Sequence, residues 1–438
     1  MDQKRYPPAA LAWLVWGLGA AFYFAGFFHR VAPAVMIDHL MADFHIGAAE
    51  LGNFSAFYFY SYFLMQVPTG ILSDYWGPRR LLTAGALVGA CGTFLFASAS
   101  AISTANLARL LVGGAAGVAY VSLLQLSTRW FAPRFFATVI GIALFCGVGG
   151  AVSAGVPLHF LVSHFGWRPV MFGVSAVLLL IGAAVWTIVR DDPAERGYRS
   201  FFPPGPKAAF SAAALRRDLI TILGYRNTWF ISLVGCGLTG PVLTFAGLWG
   251  VPFLTTLYGM PTAASSAITS TLLICYAVGA IGLGMLSDRI GLRKPVMLAG
   301  SAVAFLCWIP ILFFPRLPHE LLIALVIIEG LSAGTVTLGF AFLKETLPAR
   351  FAGTVSGIYN MGSILGAMIL QPAVGWLLDF AWRGTLSGGA RIYDPDAYRL
   401  GFLPIAAFAA VALLSIGFAS ETGSRRREDR EDGGENCG

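Results

Sequence analysis

Twelve separate runs of about 20 mostly apolar residues, each the length a helix needs to cross a bilayer, constrain this chain more than any other feature. They fall near residues 10–36, 51–73, 81–100, 102–127, 135–161, 169–189, 228–258, 265–286, 295–314, 320–343, 352–378 and 399–419. The runs are continuous and do not alternate with period two, so they specify helices and not the strands of a barrel. The first run is too long for a cleavable signal peptide. The expected fold class is an all-α membrane protein with twelve transmembrane helices.

Composition agrees. Hydrophobic residues make up 57% of the chain and charged residues only 12%, against about 25% charged in a soluble domain. A water-soluble fold could not hide so much apolar surface, so the excess faces lipid. The 52 glycines suit helices that approach closely in a bilayer. Of the six cysteines, Cys91, Cys146, Cys236, Cys275 and Cys307 sit in apolar runs and Cys437 in the tail. That is neither a disulfide framework nor a metal-binding pair. There is no phosphate loop, metal-ligand cluster or nucleophile–base spacing, so an enzyme is not expected, nor any cofactor or metal.

With twelve spans both termini share one side. That side carries 22 of the 29 Lys and Arg residues, among them Arg79, Arg80, Arg129, Arg190, Arg217, Arg293 and Lys294. The other side has five: Arg168, Arg316, Arg383, Arg391 and Arg399. Basic loops stay cytoplasmic. A multi-pass protein of the inner membrane with both termini in the cytoplasm is therefore expected. The same asymmetry accounts for the net charge of +7 without nucleic acid.

The longest polar stretch, residues 190–227, separates six runs from six. The expected organisation is a first six-helix bundle (1–189), a cytoplasmic linker (190–227) with an amphipathic segment at Leu215–Leu223, a second bundle (228–420) and a disordered cytoplasmic tail (421–438). The halves share a repeat. Gly70-Ile71-Leu72-Ser73-Asp74-Tyr75-Trp76-Gly77-Pro78-Arg79-Arg80 returns 214 residues later as Gly284-Met285-Leu286-Ser287-Asp288-Arg289-Ile290-Gly291-Leu292-Arg293-Lys294. Each copy joins the second and third run of its half. The glycines permit a tight turn, the aspartate can stabilise a helix N-terminus or pair with an arginine, and the basic residues mark the cytoplasmic face.

This segment resembles the signature loop of the major facilitator superfamily, and Arg109 with Gly113, Gly114 and Gly117 resembles that superfamily's fourth-helix pattern. The resemblance reaches residue 420 or so. It implies two six-helix bundles around a central cavity that opens to each side in turn, and a transported small-molecule substrate. It also implies that Gly70, Asp74, Gly77, Arg79, Arg80, Gly284, Asp288, Gly291 and Arg293 form gate contacts. The alternative is a topology signal and structural latch.

Charges inside a span cost several kcal/mol unless used or paired. Three stand out. Arg30 shares a helix face with Tyr23, Phe27 and Ala34, a stripe of one cation and aromatic walls. It either snorkels to the surface or captures a carboxylate or phosphate. The segment is similar to the first helix of organic-anion symporters and organophosphate antiporters. The symporters often carry Asp-Arg here, where this chain has His29-Arg30, which leaves a titratable group beside the arginine. Glu329 lies near the midplane of the tenth run with no basic neighbour in sequence. It either carries a coupled proton or pairs with Arg30 or Arg109. Arg109 either packs the fourth helix or, as the family pattern implies, takes part in proton coupling.

The expected substrate site is Arg30, Tyr23, Phe27, Tyr58, Tyr120, Trp249 and Asn360. The expected proton-coupling residues are Glu329, His29 and Arg109. Together they describe proton-coupled uptake of a small anionic or zwitterionic metabolite, an organic acid or amino acid, by a monomer whose partners are substrate, protons and lipid. The alternative is a drug–proton antiporter, but the exporters of that kind usually carry a Gly-x-x-x-Gly-Pro-x-x-Gly-Gly pattern in the fifth helix. Gly147–Pro157 lacks the Gly-Pro pair. A receptor would carry an added signalling domain.

Overall fold

The computed structural model describes residues 5–202, 212–314, 316–348 and 351–421. Among the described residues, eleven spans are long and apolar enough to cross a bilayer: Ala9–Val35, Tyr75–Ser98, Ile102–Trp130, Pro133–Phe165, Trp167–Ile188, Arg226–Tyr258, Thr262–Ile290, Lys294–Phe313, His319–Thr346, Gly353–Phe380 and Pro395–Phe418. The twelfth, second in chain order, occupies the first part of the long helix Ala48–Ser98. It is less apolar because it faces protein: Ser55, Tyr58 and Tyr62 on it are buried. The spans are called first to twelfth in chain order below. The linker contains a helix, Ala212–Leu223, where an amphipathic segment is expected. The expected disordered tail lies outside the described residues except for Glu421.

The second and third spans form one hydrogen-bonded helix broken at Gly77, where φ is 78°. Only glycine takes that conformation without strain, and a Cβ there would run into the Asp191 carboxylate. Several spans carry short departures from α geometry. The first ends in a 3-10 turn at Ala32–Val35, the seventh has a π turn at Phe245–Trp249, and the tenth has a 3-10 turn at Gly334–Thr337.

The apolar core shows how the halves meet. Toward the face opposite the termini, the far face, one continuous core runs through both halves, from Val31, Leu51, Tyr58 and Phe96 to Phe245, Trp249, Leu272 and Val374. Toward the face that carries the termini it divides in two. One core belongs to the first half (Trp16, Leu82, Leu126, Trp130) and the other to the second (Val234, Met297, Phe342, Tyr359). At the far face the turn at Ala32–Val35 packs against the turn at Phe245–Trp249. Among the described residues, the fourth and fifth spans make no comparable packing with the tenth and eleventh at the terminal face. The halves are thus closed on each other at the far face and parted at the other.

Candidate functional site

The point where the shared core divides is marked by two aromatic side chains. Half-buried Phe27 packs against both the shared core and the first half's core. Half-buried Tyr276 packs against both the shared core and the second half's core. Arg30 lies beside Phe27, its guanidinium 4.4 Å from that ring, 5.1 Å from Tyr62 and 5.8 Å from Tyr58. The Tyr58 hydroxyl donates to the Gly26 carbonyl at 2.9 Å, which fixes its ring. Tyr23 packs on Phe27 at 4.9 Å and on Tyr120 at 5.5 Å. Of the predicted substrate residues, Arg30, Tyr23, Phe27, Tyr58 and Tyr120 therefore come together.

Arg30 is 7% exposed, so its head group does not snorkel. Its Nε has no hydrogen-bond partner, and no acidic side chain among the described residues forms an ion pair with it. Aromatic faces supply about 0.5–2 kcal/mol each to a desolvated cation. They do not replace the counter-charge that a buried guanidinium ordinarily has. The arrangement can accept an anion through planar N–H donors between aromatic walls.

His29 and Arg109 turn into the first half, although Arg109 shares the Tyr58 ring with Arg30. The His29 ring points into the first half, with Nδ1 2.8 Å from the Ala25 carbonyl and Nε2 2.9 Å from Thr93 Oγ1. Since a carbonyl only accepts, Nδ1 is the donor. Arg109 donates to the His29 carbonyl at 2.7 Å and to the Ser55 carbonyl at 3.4 Å, and stacks over Phe54 and Tyr58. It braces the first, second and fourth spans. Neighbours in sequence, His29 and Arg30 lie about 100° apart on one helix and meet different partners.

Glu329 is fully buried, and neither carboxyl oxygen has a hydrogen-bond partner. The alternative pairing with Arg30 or Arg109 is not made among the described residues. The Trp308 indole stands near the carboxyl without completing a hydrogen bond. The adjacent Gly330 lies against the backbone of the eighth span at Leu272 and Tyr276. Tyr276, whose hydroxyl is 3.3 Å from Thr239 Oγ1, is within electrostatic range of both Arg30 and Glu329. The sequence reading missed Tyr276. Nothing distinguished it from other aromatics, although it is the tyrosine of an otherwise aliphatic stretch of the eighth run.

Two predicted substrate residues are already engaged. Trp249 is buried in the far-face core, where its indole donates to the Gln371 carbonyl at 3.0 Å. Asn360 donates to Gln66 Oε1 at 2.8 Å, joining eleventh and second spans across the halves.

The repeated loops are tied within their own halves. Arg79 donates to the Trp186 carbonyl at 2.7 Å and lies over that ring at 4.4 Å. Arg293 bridges Asp288 at 2.5 Å and Glu345 at 2.9 Å. Gly291 ends the eighth-span helix with φ of 73°. Gly70 and Gly284 have open space beside them, and Arg80 is exposed. The Asp74 side chain lies outside the described residues.

The model of the Major Facilitator Superfamily matches residues 15–273 and 242–436. The chain belongs to that superfamily. It is 26% identical over 420 residues to the uncharacterized transporter YybO of Bacillus subtilis, covering 88% of this chain and 92% of that one. It is 25% identical to the probable sulfoacetate transporter SauU of Cupriavidus necator, with 84% and 87% covered. It is 26% identical to the probable nitrate/nitrite transporter NarK2 of Mycobacterium tuberculosis, with 80% and 82% covered. A solved bacterial homolog of the human lysosomal transporter Spinster, in an inward-facing and unoccupied conformation, shares the fold. Its TM-score is 0.73 at 17% identity, with 94% of this chain and 97% of that chain covered. This facilitator is a multi-pass membrane transporter of a small molecule and not an enzyme.

Proposed function

We propose that this transporter carries a small organic or inorganic anion, or a zwitterion with an exposed carboxylate, and couples its uptake to protons. The observation that supports this most is Arg30, a buried guanidinium in an aromatic cage at the point where the halves part, with no acidic partner among the described residues. Anion binding there would supply the missing counter-charge. The names of two relatives agree, since sulfoacetate and nitrate are both anions.

Glu329 is the proposed proton carrier. A carboxyl buried without hydrogen bonds is far more costly as an anion than as a neutral acid. Tyr276 is within electrostatic range of both Glu329 and Arg30, so a charge bound at Arg30 can be felt at a side chain that Glu329 also influences. The charge asymmetry of the loops supports placing the parted face in the cytoplasm of an inner-membrane protein. The parted state is then the one that exchanges substrate with the cytoplasm.

The test is thermal-shift screening of the purified protein against organic acids, sulfonates, nitrate, amino acids, sugar phosphates and cationic drugs, because a ligand that binds the native state raises its apparent stability. Anionic hits should then be accumulated by proteoliposomes under an inward proton gradient. Stabilisation by cationic drugs alone would favour efflux and overturn the anion reading.

A further inference from the structure

Asp379 ends the eleventh span, in the second half, and its carboxylate reaches across to the first half. Oδ1 accepts from the Ala48 backbone N–H at 3.1 Å and Oδ2 from that of Ala49 at 2.8 Å. These two residues open the long helix of the second span, where the first-turn N–H groups have no partner within the helix. The dipole there also favours a negative group. The carboxylate thus caps a helix of the opposite half, 331 and 330 positions away in sequence.

Two further residues hold the carboxylate in place. Tyr393 donates its hydroxyl proton to Asp379 Oδ1 at 2.5 Å, while its oxygen accepts from the Ala48 N–H at 3.0 Å. Arg391 donates to Oδ1 at 3.0 Å and lies over the Trp382 ring at 4.5 Å. Arg391 belongs to the short hairpin of Leu386–Ser387 and Ala390–Arg391, and Tyr393 follows it, in the connection between the eleventh and twelfth spans. The other carboxylate at this helix start, Glu50, is occupied locally by the Gly47 N–H at 3.1 Å.

The backbones around the cap are in direct contact. Gly52 faces the backbone of Gln371 and Pro372, and Gly375 faces that of Ala48. A Cβ at either position would collide with the opposite half. The second and eleventh spans cannot part at this level without breaking the bonds to Asp379.

We propose that Asp379, oriented by Arg391 and Tyr393, is the latch that holds the far face closed, and that its release is a step in opening to that face. Charge-assisted bonds to carboxylate are about twice as strong as neutral ones, so the latch favours the far-closed state without depending on the substrate site. The proposal stands whether or not the substrate is an anion.

The experiment is hydrogen–deuterium exchange on the full-length protein in lipid nanodiscs, comparing wild type with Asp379→Asn and Tyr393→Phe. Loss of the latch should speed exchange several-fold in the far-face segment 46–57. It should slow exchange in the terminal-face segment 352–362, because opening one face closes the other. Faster exchange at 46–57 with 352–362 unchanged would mean a frayed helix start and would overturn the proposal. Should Asp379→Asn not fold, Tyr393→Phe keeps the carboxylate and its cap. A smaller shift in the same two directions is expected of it, and no shift would likewise overturn the latch.

Discussion

The Arg79 backbone N–H donates to the Asp191 carboxylate at 2.6 Å, so a residue three positions beyond the sixth span, which ends at Ile188, caps the start of the third-span helix. The second half repeats the device: Glu421, after the twelfth span, accepts from the Lys294 N–H at 2.7 Å at the start of the ninth. In both halves the duplicated loop is anchored by a carboxylate at the end of that half's last helix. With the terminal face parted, the loops are held by their own halves. A gate across the halves on this face would require these anchors to be joined or exchanged for others.

Asp191→Ala should lower thermal stability by about 1 kcal/mol, the ordinary value of a helix cap. Asp191→Asn retains an oxygen acceptor and should cost less. Burial, the largest influence on Asp191, raises its pKa from the ordinary aspartate value, against the opposing Arg79 N–H bond. The native state then holds a proton to higher pH than the unfolded chain, and stability falls as pH rises through that window. Wild type should accordingly lose ground to Asp191→Asn as pH rises above about 4, the ordinary aspartate value. Melting temperatures of both proteins across that range would check the sign.

Arg109→Met should destabilise the protein by about 1–3 kcal/mol, since it leaves the buried carbonyls of His29 and Ser55 without their donor. Arg109→Lys should recover part of the loss. If Arg109 is a brace, substrate affinity per folded molecule should change little in either variant. Binding assays normalised to folded protein would show this, and a selective loss of affinity with normal stability would assign Arg109 to the substrate site.

The parts of the fold that depend on local pattern were legible in the sequence. Runs of apolar residues gave the spans, and Gly77 and Gly291, both at positive φ, mark turns the repeat located. The aromatic stripe of Tyr23 and Phe27 beside Arg30 also follows from helical spacing. What was not legible depends on distant partners. Asp191 meets Arg79 from 112 residues away, and Asp379 meets Ala48 from 331. No periodicity announces such pairs. The Trp249 indole likewise meets the Gln371 carbonyl from 122 residues away, a contact that helical spacing does not foretell.

Arg30→Lys should weaken substrate binding sharply while the protein still folds. Lysine keeps the charge but replaces the planar two-pronged fork with a point donor, and loses part of the stacking on Phe27 and Tyr62. Titration calorimetry with a ligand from the stability screen would measure the change. An affinity within about two-fold of wild type, roughly 0.4 kcal/mol, would remove Arg30 from direct contact with substrate.

The last prediction separates coupling from architecture. Glu329→Gln keeps the shape of the side chain and resembles its protonated form. Because the Glu329 carboxyl makes no hydrogen bond or ion pair among the described residues, the substitution removes no partner, and the variant should express and fold as wild type does. If Glu329 carries the proton, proteoliposomes containing the variant should bind substrate and exchange it across the membrane, yet fail to accumulate it under a proton gradient. A structural pair of Glu329 with Arg30 would behave otherwise: each single neutral variant would be unstable, and the double variant Arg30→Met with Glu329→Gln would recover. The geometry predicts no such rescue. The double variant should fold no better than the less stable single and should lose both binding and accumulation. Expression, ligand binding, exchange and proton-driven uptake on the two singles and the double distinguish these outcomes. Undiminished accumulation by Glu329→Gln would place the coupled proton elsewhere, with His29 and its Thr93 contact the next group to test.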